Sequence, residues 1–438
     1  MDQTTETKTK KHTGKFGRFM RILGPGLITG AADDDPSGIA TYSQTGAQFG
    51  LGQLWTALYQ IPLLIAIQEA CARIGAVTGK GLAGVVKANY SKKILYGIVV
   101  LVVIANTINI GADIGAIATA TRLVVDIPFA IVAILFAAII VILEIYVSYK
   151  TYAKFLKWLT LTLLAYPLTA LIVHEPWGHI IRATLLPHIE LSFGYLFIIT
   201  GVFGTTISPY MFFWQSSGEV EEEIAHRRLD KNGALPHGLK KFLYDIKIDT
   251  TVGMIASEIA QWFIIITTAT VLFSHGITNI TSASDAAKAL EPLVQSFPNA
   301  GQLAKDLFAI GIIGLGLLGI PVLAGSAAYA MSEAFGWKEG LYRKFKQAKG
   351  FYGVIIVSTF IGLLLNFVGI DPIKALVFTA VFNGVAAVPL LFVIAKINSS
   401  GTILGNYKGS RLSRSLVWLT FGIMALAAIA MFYTLLAK

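Results

Sequence analysis

Long apolar stretches alternate with short polar and basic segments along the chain. Eleven stretches reach the roughly 20 residues needed to cross a hydrocarbon core. They cover residues 20–48, 51–75, 94–120, 128–147, 153–173, 193–217, 246–274, 302–334, 351–369, 374–395 and 414–436. Hydrophobicity that runs on without alternation predicts helices, because a membrane barrel alternates apolar and polar residues. The expected class is an all-α integral membrane protein. Two stretches, the first and the sixth, are interrupted in mid-span by proline and polar residues.

Composition agrees with the pattern. The chain has 438 residues, of which 55% are hydrophobic and only 14% charged, against about 25% charged in soluble domains. Mean hydropathy is +0.67. Disorder, collagen, coiled coil and an ordinary soluble enzyme are excluded. The one cysteine, Cys71, excludes a disulfide framework.

A net charge of +10 raises the question of nucleic acid. The distribution of the charge answers it. With the amino terminus on one side, only Arg122, Arg182, Lys288, Lys305, Lys374 and Lys438 fall on the other, leaving 29 of the 35 basic residues on the first side. This asymmetry is the positive-inside rule. It predicts a multi-pass plasma-membrane protein with a cytoplasmic amino terminus and an external carboxyl terminus, bound to lipid and not to nucleic acid. Short loops suit a prokaryotic membrane. Residues 1–19 are expected to be a basic cytoplasmic tail without a cleavable signal. The longest cytoplasmic loop is expected at about 218–245, and 278–300 as an external loop or short helix.

The first span reads GPGLITGAADDDPSGIATYSQTGAQFG. One charge at mid-membrane costs about 2.5–3.5 kcal/mol even on the lenient insertion scale. Three acids on an intact lipid-facing helix are prohibitive. Pro36 removes a donor and disfavours helix at Asp35, and Gly38 adds backbone freedom. The helix should unwind here, around a cavity or inside protein. The sixth span carries a second break at Gly204-Thr-Thr-Ile-Ser-Pro209-Tyr210. Paired interruptions in two halves point to a transporter's central site. The organisation that follows is a first repeat over 20–173, an inverted second repeat over 193–395 and an added span at 414–436.

Carboxylate, hydroxyl and freed carbonyl groups offer oxygen, which suits magnesium, calcium and manganese. The candidate ligands are Asp35, Gly38, Thr205 and Ser208. Asp35 has a second reading, as a helix cap or a salt-bridge partner. Asp33, Asp34 and Asp35 cannot all face one ion, since successive helical residues point about 100° apart. Asp34 is a candidate for the ion pathway. Asn106, Asn109 and Asp113 share one helical face, which either lines a hydrated vestibule or makes a polar helix contact. Glu69 and Arg73 form an i, i+4 pair that reads as structural, although Glu69 stays a pathway candidate. Asp249, Glu258 and Glu333 are gates or internal ion pairs. No metalloprotease HExxH, nucleophile elbow or nucleotide loop is present in the sequence, so no enzyme and no cofactor are expected. No obligate protein partner is inferred.

The residues at the two breaks resemble those of the NRAMP divalent-metal transporters. Asp35-Pro36-Ser37-Gly38 is similar to the family's Asp-Pro-Gly-Asn, and Ser208-Pro209-Tyr210 to its Met-Pro-His. GPGLITGAADDDP, ARIGAVTGKGLA, IDTTVGM and AGSAAYAMSEAFG agree as well. The resemblance covers nearly the whole chain. It implies a LeuT-like fold of two inverted five-helix repeats plus an eleventh helix, with a divalent metal near mid-membrane.

Three positions depart from the family pattern. Asp35 keeps the ligating aspartate, but Gly38 replaces the Asn ligand, Ser208 the soft Met, and Tyr210 the His associated with proton movement. Without the thioether a preference for softer ions is lost, and magnesium commonly keeps several waters. The pattern is similar to the NRAMP-related magnesium transporters. It implies a secondary transporter that carries Mg2+, and also Mn2+, into the cytoplasm, hydrated and without proton coupling. The alternatives are a proton-coupled manganese or iron importer, with Glu69, Asp33, Asp34 or Asp113 as proton site, and a sodium-coupled carrier of organic solutes on the same fold.

Overall fold

The computed structural model describes residues 24–147, 161, 164–173, 177–225 and 239–437. The basic tail at 1–19, about half of the fifth span and part of the 218–245 loop lie outside the described residues. Among those described, the chain is all helix, with no strand.

The first span is two helices, α1 (Pro25–Asp33) and α2 (Pro36–Phe49). The second to fourth are α3 (Trp55–Thr78), α4 (Lys92–Thr121) and α5 (Phe129–Tyr146). The described end of the fifth is α6 (Ala165–Ile172). The sixth is again two helices, α7 (Phe193–Thr206) and α8 (Pro209–Ala225). The seventh to eleventh are α9 (Leu239–Val271), α10 (Ala300–Phe335), α11 (Lys349–Leu365), α12 (Pro372–Ser399) and α13 (Arg411–Leu436).

Several helices overrun the apolar stretches that mark them. The expected loop at 218–245 is shorter, because α8 continues to Ala225 and α9 starts at Leu239. The added turns carry Glu and Lys, good helix formers that bond internally as well in water as in lipid. The 278–300 stretch holds two short helices, Ala283–Lys288 and Glu291–Val294.

Contacts between helices follow a two-fold relation. If the first span corresponds to the sixth and the second to the seventh, the packing of α2 on α9 should recur as α8 on α3. Both contacts are extensive. The third and eighth spans, α4 and α10, correspond to each other and form the most extensive contact in the molecule. This is the packing of a LeuT-like fold of two inverted five-helix repeats, with α13 outside them against α12 and α7.

Burial separates the centre from the lipid face. In the apolar stretch of the broken sixth span 94% of the residues are buried, against 28% in those of α5 and α13. Ile131, Leu135, Leu426 and Ile429 lie exposed on those outer helices, as lipid-facing residues should. The centre is held by small residues rather than by bulk. A Cβ on Gly26 would sit 2.7 Å from the Thr250 amide nitrogen, and one on Gly253 would meet Gly26 and Leu27. Backbones that approach this closely replace the hydrophobic driving force that lipid removes.

Asp249 adds a polar lock to the α1–α9 contact. Its carboxylate accepts from the Gly24, Gly26 and Leu27 amides at 2.9, 2.7 and 3.0 Å. These are orphan donors of the α1 amino terminus, capped here from 222 or more residues away. Asp249→Ala should therefore destabilise the protein by about 1–3 kcal/mol, and Asp249→Asn by less, since its carbonyl still accepts. Thermal melting in detergent checks this, and equal melting of wild type and Asp249→Ala would remove the cap from the account.

Candidate functional site

α1 ends at Asp33, Asp34 leaves helical geometry, and Asp35 is extended with ψ 173°. Pro36 then opens α2 at the one helical position where a missing amide costs nothing. Asp35 caps that helix: Oδ1 accepts from the Gly38 amide at 2.9 Å and the Ser37 hydroxyl at 2.6 Å. Its other oxygen accepts from the Asn109 amide group of α4 at 3.2 Å. The helix-cap reading of Asp35 is thus correct as geometry. It leaves Asp35 1% exposed with spare lone pairs and no basic side chain paired with it among the described residues.

The second break forms the same way, with Ile207 and Ser208 outside the helix and Pro209 opening α8. The Ser208 hydroxyl turns back on its own helix, within 2.5 Å of the Gly204 carbonyl and 2.9 Å of that of Thr205. Thr205 faces the other break, its hydroxyl 3.4 Å from that of Ser37. A Cβ added to Gly38 would lie 3.4 Å from the same Thr205 oxygen and 2.9 Å from the Asp33 carbonyl. The two breaks therefore meet, and Asp35, Gly38 and Thr205 come together as the sequence suggests, with Ser208 one turn away.

Neighbouring helices complete the site. Tyr210 donates to the Ala32 carbonyl at 2.8 Å, tying α8 to the end of α1, and Ser326 of α10 donates to the Tyr210 carbonyl at 2.8 Å. Tyr210 thus holds the first break in place. The polar face of α4 does two things. Asn106 donates to the Leu323 carbonyl of α10 at 2.9 Å, a helix contact. Asn109 and Asp113 face the break. Gly319 of α10 makes room there: its Cβ would lie 3.0 Å from Asp35 Cβ and 3.9 Å from Asp113 Oδ2. Both Asp113 oxygens are buried without a hydrogen-bond donor among the described residues.

The three adjacent aspartates diverge, as their helical spacing requires. Asp35 points to α4, while Asp33 accepts from Ser257 of α9. Asp34 is 2% exposed, with Oδ1 unpartnered among the described residues. Glu69 stands apart from the break. It pairs with Arg73 at 2.5 Å, and Arg73 reaches the Tyr407 carbonyl beyond the tenth span. Glu333 also has a local task, accepting from the Gly84 amide at 2.8 Å at the start of the short helix Leu82–Asn89. Nearby, outside the spans, burial pushes the Glu339 carboxyl up to about 9, with the Glu333 and Glu221 charges adding to the effect.

Sequence reading missed a polar chain behind the second break. Tyr42 and Thr206 hydroxyls lie 2.9 Å apart, and Thr206 reaches Gln261, whose amide donates to Thr56 and Gln60. Gln261, one turn past Glu258 in a largely apolar span, was the signal. The donor set at the breaks is oxygen throughout. Met211, just past Pro209, packs in the apolar core. Five carboxylates, Asp33, Asp34, Asp35, Asp113 and Glu258, share this buried region without a described basic partner, an arrangement that draws cations.

Residues 26–434 match the family described as natural resistance-associated macrophage protein-like, or Nramp. The divalent metal cation transporter MntH of Brucella suis biovar 1 is 25% identical over 335 residues, covering 75% of this chain and 70% of the relative. That of Agrobacterium fabrum is 25% identical over 341 residues, covering 76% and 70%. Among solved structures, the Eremococcus coleocola manganese transporter superposes with a TM-score of 0.74 at 17% identity, over 95% of this chain and 87% of that one. The nucleobase-cation-symport-1 family transporter Mhp1 superposes with a TM-score of 0.55 at 17% identity, over 94% and 92%. These structural likenesses are of fold.

Proposed function

The chain belongs to the Nramp family, a family of membrane transporters and not of enzymes, and on that premise we propose that it carries divalent metal ions, magnesium foremost and manganese also, into the cytoplasm. The ion sits where the two broken spans meet, with Asp35 as charged ligand and Thr205, Ser208 and freed backbone carbonyls near Gly38 as neutral ones. Asn109 and Asp113 line its path, with Asp34 on the α1 side and Tyr210 holding the break. The observation that carries this reading is the junction itself: a buried carboxylate beside hydroxyls and backbone oxygen, with neither Met nor His among the residues bonded there, Asp35, Ser37, Gly38, Thr205 and Asn109.

Hard oxygen donors without sulfur favour magnesium over softer ions. Hydroxyls also serve a hydrated ion, since they accept from its waters. Transport runs with the membrane potential and without protons. An inside-negative potential favours entry of a divalent ion by about 4.6 kcal/mol per 100 mV, twice the single-charge value. The protein lies in a prokaryotic plasma membrane with its amino terminus cytoplasmic. Entry is from the outer side of the membrane.

A second reading is a proton-coupled manganese importer. One observation favours it: Asp113 lies beside Asp35 with both oxygens unpartnered among the described residues, and so offers a proton a place. An organic-solute carrier is disfavoured. The α2 amino terminus that would greet a substrate carboxylate already holds that of Asp35.

Magnesium uptake into proteoliposomes, with an internal pH dye, separates the readings. Potential-driven uptake without acidification is expected. Acidification accompanying manganese, with no magnesium uptake, would establish the second reading instead.

A further inference from the structure

A second group of buried carboxylates lies on the α1 side of the first break. Asp33 and Asp34 end that helix, and Glu258 comes from the middle of α9. All three are at most 2% exposed. The Ser257 hydroxyl donates to Asp33 Oδ2 and so fixes this part of α9 against the end of α1. Glu258, next in sequence, lies within reach of the charges of both aspartates. Its two oxygens meet no hydrogen-bond donor among the described residues, and neither does Oδ1 of Asp33 or of Asp34. No described basic side chain pairs with any of them.

An ionised carboxylate only accepts hydrogen bonds. Four buried acceptor oxygens without a donor among the described residues, on two helices joined by the Ser257–Asp33 bond, call for protons or for a donor that carries positive charge. The carboxylates do not close into a cage for a bare metal ion among the described residues. A hydrated divalent cation fits them better, because its waters supply the missing donors and the acids meet its charge across those waters. We propose that Asp33, Asp34 and Glu258 form a second cation station, which holds a hydrated divalent ion on the cytoplasmic side of Asp35. This rests on the reading of Asp35 as the central metal ligand and of α1 as the cytoplasmic half of its span. An ion on the station repels the next ion at Asp35 and keeps the central site from becoming a trap, the logic of adjacent sites in conduction.

The test counts ions. Equilibrium dialysis of the purified full-length protein against radioactive manganese should find two ions per chain. Glu258→Gln should lower the count to one, and Asp35→Asn should also lower it to one by removing the other ion. A wild-type count of one that Asp35→Asn abolishes would overturn the station and leave the central site standing. Two ions retained in Glu258→Gln would overturn it as well. Loss of an ion in Glu258→Gln but not in Asp35→Asn would instead uphold the station and overturn the central assignment. No bound manganese would remove both. Thermal melting accompanies each variant. Should Glu258→Gln fail to fold, Asp33→Asn, which can still accept from Ser257, must give the same drop to one.

Discussion

Asp35→Asn should reduce metal uptake to background while leaving a folded protein. The choice of asparagine matters because Asp35 does two things in the structure. It caps α2 through the Gly38 amide and the Ser37 hydroxyl, and it presents a carboxylate where the two breaks meet. Asparagine is as good a cap as aspartate, so this variant removes the charge and keeps the helix start. Asp35→Ala removes both, and should lose uptake together with about 0.5–2 kcal/mol of stability. Altering groups that merely orient a metal ligand costs about 10–100-fold in affinity or activity, so removal of the charged ligand itself should cost at least about 100-fold. Uptake and thermal melting of the two variants decide the matter. Full uptake in Asp35→Asn would leave the residue as a cap alone.

The breaks were legible because proline acts locally. Pro36 and Pro209 each exclude helix at the residue before them and begin a new one, so the limits of α2 and α8 follow from the sequence. Glu69 with Arg73 was legible for the same kind of reason, since four residues make one helical turn. The face of Asn109 and Asp113 followed from periodicity, but what that face meets did not. Asn106 lies on the same stripe and bonds to α10, while Asn109 bonds to Asp35.

Longer-range partnerships left no local trace. Asp249 caps a helix that lies more than 220 residues earlier in the chain, and Glu333 reaches Gly84 across 249. Nothing within a turn of either acid distinguishes a cap from a gate. Ser208 shows the opposite error of emphasis. Its place at the break suggested a ligand, yet its hydroxyl takes the common course for membrane helices and bonds to its own backbone. An oxygen lone pair stays available there, but the hydroxyl proton is committed.

That commitment bears on the second large effect, a change of metal preference in the double variant Gly38→Asn, Ser208→Met. These substitutions restore the two side-chain ligands that the resemblance supplies. The thioether adds a soft donor, which stabilises manganese and leaves magnesium indifferent. The asparagine oxygen adds a further inner ligand, which favours an ion that sheds water readily over magnesium. A shift of about 1.4 kcal/mol, or tenfold, in the manganese-to-magnesium uptake ratio is a modest expectation for two new ligands.

The structure says what the change must overcome. A Cβ at residue 38 lies 2.9 Å from the Asp33 carbonyl, so the unwound segment has to move by a few tenths of an ångström. Methionine at 208 leaves the Gly204 carbonyl without its hydroxyl partner. Each single variant should therefore melt below wild type. Competition between manganese and magnesium during uptake gives the ratio directly. A double variant that still transports, with the wild-type ratio, would mean that positions 38 and 208 do not face the ion. The central site would then have to be rebuilt around Asp35, Asn109 and Asp113, of which the two carboxylates border Gly319 and Asn109 bonds to Asp35.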